Sequence, residues 1–395
     1  MRVKDTQFAL GRFAAFWRQR FAIPVIGVTG SNGKTTVKEM LAAIFRMTGE
    51  GLATRGNLNN DIGVPLTLLS LRHTHKFAVI EMGANHRGEI AYLTNLVRPD
   101  VALVNNAGAA HLEGFGTLAD VVAAKSEIFS GLGEDGVAVI NADDANAEAF
   151  RHNAQPHRRI TFGIDFPADV CTTAQSIAQV MSDGQYVTRF ELRAFQETVS
   201  ATLPLVGRHN VMNALAATAA ASACGLRLTD VAQGLANMQG AQGRLQIKRG
   251  SSGTRVIDDT YNANPNSFAA AIEVLAGFAK PRMVVLGDMA ELGPGSAELH
   301  RQVGARARDK DVDLLYATGK QSIEAVRAFG KAGRHFESVD ALIAALLQQL
   351  AQKDWQNATI LVKGSRSMRM ENIVNAVCGQ GVAQDGVHQC IRGII

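Results

Sequence analysis

The chain has 395 residues, of which 47% are hydrophobic and 19% are charged, so it is long enough for two or three domains and unlike a disordered or collagen-like protein. Its net charge of +4 is spread over the whole length, which excludes the concentrated basic patch of a nucleic-acid-binding protein. The four cysteines form no CxxC pair, which indicates neither a disulfide framework nor a zinc site and favours a reducing, cytoplasmic location.

The first predicted element is a basic amphipathic segment before residue 22, which we interpret as an ordinary surface helix. After it, short apolar runs that end in Gly, Asn, Asp or Glu recur, and helix-like stretches separate most of them. Such runs are typical of parallel strands covered on both faces, so we expect an α/β fold. The predicted strands are Val25–Thr29, Phe77–Ile80, Val101–Val104, Val137–Ile140, Arg255–Ile257, Met283–Leu286, Leu314–Ala317 and Ile360–Val362. No apolar run approaches the ~18 residues of a membrane span, so we expect no membrane insertion.

Two segments in the middle of the chain differ from this pattern. Residues 186–192 alternate apolar and polar side chains, which predicts a half-exposed antiparallel strand, and the Ala-rich residues 210–224 predict a helix. A glycine-rich stretch near residue 240 then marks a hinge, and the strand–helix order restarts. We therefore expect a central domain of the P-loop type with a mostly parallel sheet, a C-terminal Rossmann-like α/β domain, an N-terminal remnant and a disordered tail. Their predicted bounds are 23–239, 240–378, 1–22 and 379–395, respectively.

A glycine-rich turn follows the first predicted strand and precedes a helix. Strand, glycine-rich turn, Lys-Thr and helix is the context of a phosphate-binding loop, in which backbone N–H groups and the helix N-terminus attract phosphate. Lys34 would neutralise β- and γ-phosphate charge, and Thr35 offers a hydroxyl to Mg²⁺. The strict GxxxxGK[ST] pattern would place glycine at position 28, where valine stands, so a strand-to-helix turn with a chance lysine is the alternative. The predicted nucleotide-binding residues here are Gly30, Ser31, Asn32, Gly33, Lys34, Thr35 and Thr36.

A carboxylate ends the next predicted strand. Glu81 follows the apolar residues 77–80, where it could hold the metal of a nucleoside triphosphate together with Thr35. Taken alone, a glutamate at a strand end is more often a solvated or hydrogen-bonded edge residue. Together with the phosphate loop, it favours a Mg²⁺ ligand.

Further polar clusters follow in a fixed order, among them AAHLEGFG at 109–116, DDTYNANP at 258–265, GDMAELG at 287–293 and KGSRS at 363–367. With TGSNGKT at the front, the chain resembles the Mur ligases of peptidoglycan synthesis from about Val3 to Val377. Within that family, it is similar to the type that joins D-alanyl-D-alanine to UDP-N-acetylmuramoyl-tripeptide. The resemblance implies an ATP-dependent peptide ligase that converts the substrate carboxylate to an acyl phosphate, which an amine then attacks. Because a carboxylate must approach a polyanionic phosphate, the site needs concentrated positive charge.

The resemblance also implies a second Mg²⁺ ion and two further residues with catalytic roles beside Lys34. His111 would bind the second ion, although a lone histidine is more often a structural, hydrogen-bonded residue. Lys125 would carry a carbamate and thereby become an anionic metal ligand beside Thr35 and Glu81. Without the resemblance, a lysine in an Ala-Lys-Ser-Glu helix is typical of a solvated surface residue.

For the nucleotide, the resemblance implies contacts from four residues. Asn210 and Asn213 share a helix face and look like adenine contacts. Arg244 would contact phosphate, and Asp259 would accept from the ribose hydroxyls. A helix cap, a surface pair and a strand-end cap are the structural alternatives. The expected substrate residues are Asn57, Asn59 and Asn60 at the muramoyl peptide, and Asn262, Asn264, Ser365 and Arg366 at D-alanyl-D-alanine.

The family has three domains, whereas only about 22 residues precede the strand of the phosphate loop here, so we expect most of the UDP-binding N-terminal domain to be lacking. Affinity for the UDP-linked substrate is therefore in question, and a nucleotide-binding but inactive fragment is one alternative. A ligase similar to folylpolyglutamate synthase, with another acceptor, is a second, and a P-loop kinase is a more distant one. We expect a cytoplasmic monomer that binds no nucleic acid.

Overall fold

A computed structural model of the chain describes residues 3–108, 112–182, 185–239 and 243–379. These residues form two compact units, the first comprising the described residues up to 239 with 291–293, and the second comprising 243–290 and 294–379. Each unit has its own mostly parallel sheet with helices, which confirms the predicted α/β class. Within the described ranges, no helix is both long and apolar enough to cross a lipid bilayer.

The first unit contains one long sheet. Its strands are β1 Val25–Thr29, β2 Leu52–Ala53, β3 Ala78–Glu81, β4 Val101–Val104, β5 Val137–Asn141, β6 Arg158–Gly163, β7 Val170–Cys171, β8 Ala178–Ser182, β9 Gln185–Ala194 and β10 Glu197–Leu203. Its helices are α1 Thr6–Arg18, α2 Lys34–Phe45, α3 Gly63–Leu69, α4 Glu89–Val97, α5 Leu112–Phe115, α6 Leu118–Ser126, α7 Ala147–Asn153, α8 Arg208–Ala223 and α9 Leu228–Ala236. The strand order is β10-β9-β7-β6-β5-β4-β1-β3-β2, and β8 pairs with β9.

The order of the central strands positions the phosphate loop. β1 pairs in parallel with β3 on one side and β4 on the other, so that Val28 is opposite Glu81 and Thr29 is opposite Val104. Because parallel strands end at the same edge of a sheet, the segments that follow these three strands lie close together. All residues of β1 are buried, which explains why its sequence is apolar without alternation.

Two predictions for the middle of the chain are confirmed. Strand β9 is antiparallel to both β8 and β10, as the alternation in residues 186–192 predicts. Helix α8 covers nearly all of the predicted Ala-rich helix, and its small side chains pack against α2 and over β4, β5 and β6. The short or edge strands β2, β6, β7 and β8 were not predicted, because their sequences are neither continuously apolar nor regularly alternating over a useful length. Strand β10 was not predicted either, although Val199, Ala201 and Leu203 alternate with polar residues.

The second unit contains a six-stranded sheet in the order β11-β12-β16-β13-β14-β15. Every neighbouring pair of strands except β11–β12 is parallel. Its strands are β11 Gln246–Arg249, β12 Arg255–Asp259, β13 Arg282–Gly287, β14 Leu314–Thr318, β15 Gly333–Phe336 and β16 Thr359–Lys363. Its helices are α10 Pro265–Ala276, α11 Ser296–Asp309, α12 Ile323–Phe329, α13 Val339–Leu350 and α14 Glu371–Val377. Nearly all of the predicted tail, residues 380–395, lies outside the described residues.

Candidate active site

The phosphate loop joins β1 to α2 through two glycines in left-handed conformations. Gly30 has a φ of 153°, and Gly33, at the N-cap of α2, has a φ of 77°. A Cβ at Gly33 would lie 2.4 Å from Asn213 Oδ1 and 2.5 Å from Asn105 Nδ2, so a larger residue would strain the backbone and displace these side chains. The tight turn brings the backbone directly into the first turn of α2, whose N-terminus attracts anions.

The side chains of the loop converge on the end of β3. Lys34 Nζ donates to the Gly30 carbonyl oxygen at 2.6 Å, and Thr35 Oγ1 donates to Glu81 Oε2 at 3.0 Å. Asn59 Nδ2 donates to the other carboxylate oxygen, Glu81 Oε1, at 2.8 Å. Glu81 is only 2% exposed, so this carboxylate is neither a solvated edge residue nor distant from the loop. The structure thus brings together a lysine, a hydroxyl and a carboxylate beside a helix N-terminus.

These oxygen donors fit a Mg²⁺ ion. A hydroxyl and a carboxylate held 3.0 Å apart are hard ligands of the kind Mg²⁺ prefers, and Mg²⁺ commonly takes one or two protein ligands with water and phosphate oxygens. In the described ranges, no group of three or more His, Cys, Asp or Glu residues is arranged to hold a metal by itself. A Mg²⁺ ion here would therefore depend on phosphate oxygens. His111, the predicted ligand of a second ion, lies outside the described residues.

Lys125 is buried in α6, so the solvated alternative is wrong. Its side chain is 2% exposed, and its Nζ lies 5.6 Å from the centroid of the Phe115 ring. Burial, and then the positive charge of Lys34, lower the pKa of Lys125 to about 7, while Glu89 and Glu127 oppose the shift. An amine that is about half neutral at pH 7 can act as a nucleophile, which an ordinary surface lysine does only at high pH.

The two asparagines predicted at adenine lie in the first half of α8 and share a face, as expected. Asn213 Nδ2 donates to Asn210 Oδ1 at 3.2 Å, and Asn210 Nδ2 donates to the Val206 carbonyl at 2.8 Å. Asn213 Oδ1 accepts from Asn105 Nδ2 at 2.9 Å. Both residues are buried, at 4% and 6% exposure, directly behind the phosphate loop at Gly33. A contact with adenine stays a prediction for them.

In the second unit, Asp259 and Lys363 end the neighbouring strands β12 and β16. Lys363 Nζ lies 2.6 Å from Asp259 Oδ2 and donates to the Asn262 carbonyl at 2.8 Å. Burial lowers the pKa of Lys363, whereas Asp259 opposes the shift. Arg244 lies over the Tyr261 ring, 4.2 Å from its centroid, in a cation–π contact. The sequence predicted Asp259 and Arg244 as nucleotide contacts but assigned no partner to either.

The remaining predicted substrate residues have local structural roles. Asn60 Oδ1 accepts from the Gly63 N–H at 2.9 Å at the start of α3, and Asn264 caps α10 in a reciprocal capping box with Ser267. Asn57 precedes Asn59 in the same turn, and Asn59 contacts Glu81. The side chains of Asn262, Ser365 and Arg366 bond within their own segments, respectively to the Ala263 N–H, the Ser367 hydroxyl and the Glu371 carboxylate. Their contacts with substrate stay predictions.

The two units correspond to two domains of one family. Residues 28–221 match the Mur ligase middle domain, and residues 243–366 match the Mur ligase glutamate ligase domain. The chain therefore belongs to the Mur ligase family, which confirms the resemblance that its motifs indicate.

Several similar relatives within the family carry one name. The chain is 47% identical over 379 residues to UDP-N-acetylmuramoyl-tripeptide–D-alanyl-D-alanine ligase of Escherichia coli (strain K12), covering 96% of this chain and 82% of that protein. The crystal structure of MurF from Acinetobacter baumannii superposes with a TM-score of 0.90 at 38% identity and covers 96% of this chain and 82% of that one. The MurF ligase of Thermotoga maritima in complex with ADP has a TM-score of 0.85 at 27% identity, covering 96% and 85%.

Proposed function

We propose that this chain joins D-alanyl-D-alanine to UDP-N-acetylmuramoyl-tripeptide in the cytoplasm, as a step of peptidoglycan precursor synthesis driven by ATP and Mg²⁺. The relatives that carry this name support the choice of substrates, and an ADP-bound neighbour of similar fold supports the nucleotide. The observation that carries the proposal is the convergence of Lys34, Thr35 and Glu81 at one edge of the sheet.

The reaction explains why these groups are needed. Joining a carboxylate to an amine in water is uphill, so the carboxylate oxygen first attacks the γ-phosphorus of ATP, ADP leaves, and an acyl phosphate forms. The amine of D-alanyl-D-alanine then attacks the acyl carbon, loses a proton and displaces phosphate. The first step brings two anions together, and Lys34 and the N-terminus of α2 lower the repulsion. Bound Mg²⁺, held by Thr35 and Glu81, supplies further neutralisation of phosphate charge.

The second part of the proposal is that Lys125 reacts with CO₂ to form a carbamate. Its neutral amine attacks CO₂, a nitrogen–carbon bond forms, and a proton leaves, so that a cation beside Lys34 becomes an anion. A pKa of about 7 leaves roughly half of the amine neutral at pH 7 and ready for this reaction. The anionic oxygens fit a role as ligands of a second Mg²⁺ ion, together with His111, and would remove the repulsion between two lysines.

The remaining assignments belong to the same proposal. Asn210 and Asn213 contact adenine, Arg244 contacts phosphate, and Asp259 contacts ribose. The muramoyl peptide meets Asn57, Asn59 and Asn60, and D-alanyl-D-alanine meets Asn262, Asn264, Ser365 and Arg366. The central domain spans 23–239, the ligase domain spans 240–378, and the protein acts as a monomer.

The test is an assay that requires both substrates. The purified chain is incubated with ATP, Mg²⁺, UDP-N-acetylmuramoyl-tripeptide and D-alanyl-D-alanine, and phosphate and the ligated product are measured by a coupled assay and mass spectrometry. We expect phosphate release that depends on both substrates and that Lys34→Ala lowers by about 10²–10³-fold. Lys76→Ala, at an exposed site of the same unit, is the matched control and should leave the rate unchanged.

Two other outcomes would contradict the proposal. Phosphate release that requires L-glutamate and not D-alanyl-D-alanine would indicate a ligase of the folylpolyglutamate type. Binding of ADP without any release of phosphate would indicate a nucleotide-binding chain without ligase activity.

A further inference from the structure

The residues that follow β4 form hydrogen bonds with the phosphate loop. We call Asn105, Asn106, Ala107 and Gly108 the strap. The strap directly follows the strand beside β1, and none of its side chains has a role in the function proposed above. Asn106, Ala107 and Gly108 are only partly buried, so the strap is not simply a part of the hydrophobic core.

The strap holds the backbone of Asn32 from both sides. The Asn106 side chain accepts the Asn32 N–H through Oδ1 at 2.8 Å and donates to the Asn32 carbonyl through Nδ2 at 3.1 Å. Asn105 Nδ2 donates to the same carbonyl at 2.9 Å. The Asn32 N–H is therefore already engaged by protein, and Asn106 determines which way this backbone segment faces.

The strap also holds Ser31, the residue before. The Ser31 N–H donates to the Asn106 carbonyl at 3.0 Å, and the Ser31 hydroxyl exchanges hydrogen bonds with the N–H and carbonyl of Gly108 at 3.0 and 3.2 Å. A Cβ at Gly30 would lie 3.1 Å from Asn105 Cβ and 3.3 Å from the Asn106 nitrogen, so the two segments are in close contact. The whole first half of the phosphate loop is thus bound to the strap.

The other side of the strap is anchored to β5 and the turn after it. Asn141 Nδ2 donates to the Asn105 carbonyl at 3.0 Å, and the Ala107 N–H donates to the carboxylate of Asp144 at 2.8 Å. Hydrogen bonds to charged acceptors are the stronger ones, so Asp144 fixes the strap well. The strap is therefore a rigid link between the phosphate loop and a neighbouring strand of the sheet.

We propose that Asn106 is a positioning residue for the nucleotide, because its amide fixes the phosphate loop in the conformation that receives the phosphates. This inference rests on the proposed function, in which that loop binds ATP. A glycine-rich loop that is free to change conformation loses entropy when a phosphate orders it, whereas a loop that is already held loses less. Asn106 acts through the loop and does not itself need to touch the nucleotide.

The test is the affinity for Mg²⁺–ADP, measured by isothermal titration calorimetry on the full chain. Asn106→Ala removes the two bonds from the Asn106 side chain to Asn32 and leaves the bond from Asn105. We expect Kd for ADP to rise about tenfold, KM for ATP to rise in parallel, and kcat at saturating ATP to stay within about twofold. Asn95→Ala is the matched control, because Asn95 is an exposed asparagine whose side chain donates to the Ala91 carbonyl of its own helix. Tm of each variant is measured alongside.

The outcomes separate this inference from the function on which it rests. Unchanged ADP affinity in Asn106→Ala, with tight binding to the unsubstituted chain, overturns the inference alone, whereas no binding to the unsubstituted chain overturns the proposed function as well. If Asn106→Ala lowers Tm by more than about 5 °C, Asp144→Ala decides, because it removes the acceptor of the Ala107 N–H and so loosens the strap without touching the loop. Weaker ADP binding at unchanged Tm in that variant supports the inference, and equal binding overturns it.

Discussion

Lys125 in the first unit and Lys363 in the second are equally buried, at 2% exposure, but their surroundings differ. Lys363 has a carboxylate partner, Asp259, at 2.6 Å. Lys125 has no hydrogen bond or ion pair within the part of the chain that the structure describes, and its Nζ lies 5.6 Å from the centroid of an aromatic ring. Burial lowers the pKa of both amines, but at Lys363 a directly bonded carboxylate stabilises the charged form, whereas at Lys125 only the more distant charges of Glu89 and Glu127 do so. The comparison separates a buried lysine that is bonded to a carboxylate from one that is not.

Removal of the paired lysine should have the largest effect. Lys363→Met leaves the Asp259 carboxylate buried without its cation, and we expect the free energy of unfolding of the second unit to fall by about 3–5 kcal/mol. Urea unfolding monitored by far-UV circular dichroism measures this change. The double variant Lys363→Met/Asp259→Leu, which removes both charges, should recover most of the loss. A double variant as unstable as the single one would show that Asp259 is not the cause.

The same substitution at Lys125 should change the free energy of unfolding in the opposite direction. The pKa of Lys125 is about 7 in the folded chain and 10.5 in the unfolded one, so the unfolded state binds more protons between these values and stability rises with pH across this window. Below pH 7 the amine is protonated in the folded chain, so the burial of the ammonium lowers the free energy of unfolding by its full amount. Lys125→Met should therefore stabilise the first unit at pH 6, by roughly 1–4 kcal/mol, and by less at pH 10.

This difference is measured by urea unfolding at both pH values in CO₂-free buffer, because a carbamate would remove the buried cation. Lys76→Met, at an exposed site of the same unit, is the control and should show no such pH dependence. A Lys125→Met variant that is less stable at pH 6 than the unsubstituted chain would mean that Lys125 has a partner after all.

If Lys125 forms a carbamate, the ligase activity of the chain should depend on CO₂. With a pKa of about 7, the neutral fraction of the amine falls from about a half at pH 7 to about a tenth at pH 6. The ligase rate should therefore fall about fivefold between pH 7 and 6 in CO₂-depleted buffer and recover with added bicarbonate. Labelling with ¹³C-bicarbonate should give a carbamate resonance that is absent in Lys125→Met. A rate that is indifferent to bicarbonate, with no such resonance, would leave Lys125 without this role.

The smallest effect concerns Arg244, whose positive charge lowers the pKa of Lys363. Tyr261→Leu removes the cation–π contact with Arg244, and we expect ADP affinity to fall by about 0.5–1 kcal/mol, a few-fold in Kd. Tyr261→Phe keeps the ring and serves as the matched control. Equal losses in both variants would point to the hydroxyl instead of the ring.

The sequence predicted the parts of the site that lie close together along the chain. The phosphate loop is one continuous segment, and β1, β3 and β4 are apolar runs whose parallel pairing places Thr35 and Glu81 together. The pairing of Asp259 with Lys363 joins residues 104 positions apart, and it depends on β12 and β16 being neighbours, which no local pattern encodes.

Burial of polar residues was the other feature that local patterns did not show. Lys125 occurs in a sequence typical of a surface helix, and its burial results from packing by other elements, among them Phe115. Likewise, Asn105 and Asn106 follow a strand as ordinary loop residues would, and their contact with Asn32 depends on the strand order of the sheet. A signal was available at Gly33, because a glycine at a helix N-cap suggests a crowded site.

Helix α8 acts as a spacer in the first unit. Its alanines at 214, 216, 217, 219, 220 and 221 are wholly buried, and it packs beside α2, the helix that begins with Lys34. Since close-packed interiors accommodate extra volume only by displacement, a bulkier side chain at one of these alanines would push α2 sideways and carry Lys34 and Thr35 with it. Substitutions at these positions of α8, which contact no ligand themselves, should thus change the affinity for a triphosphate.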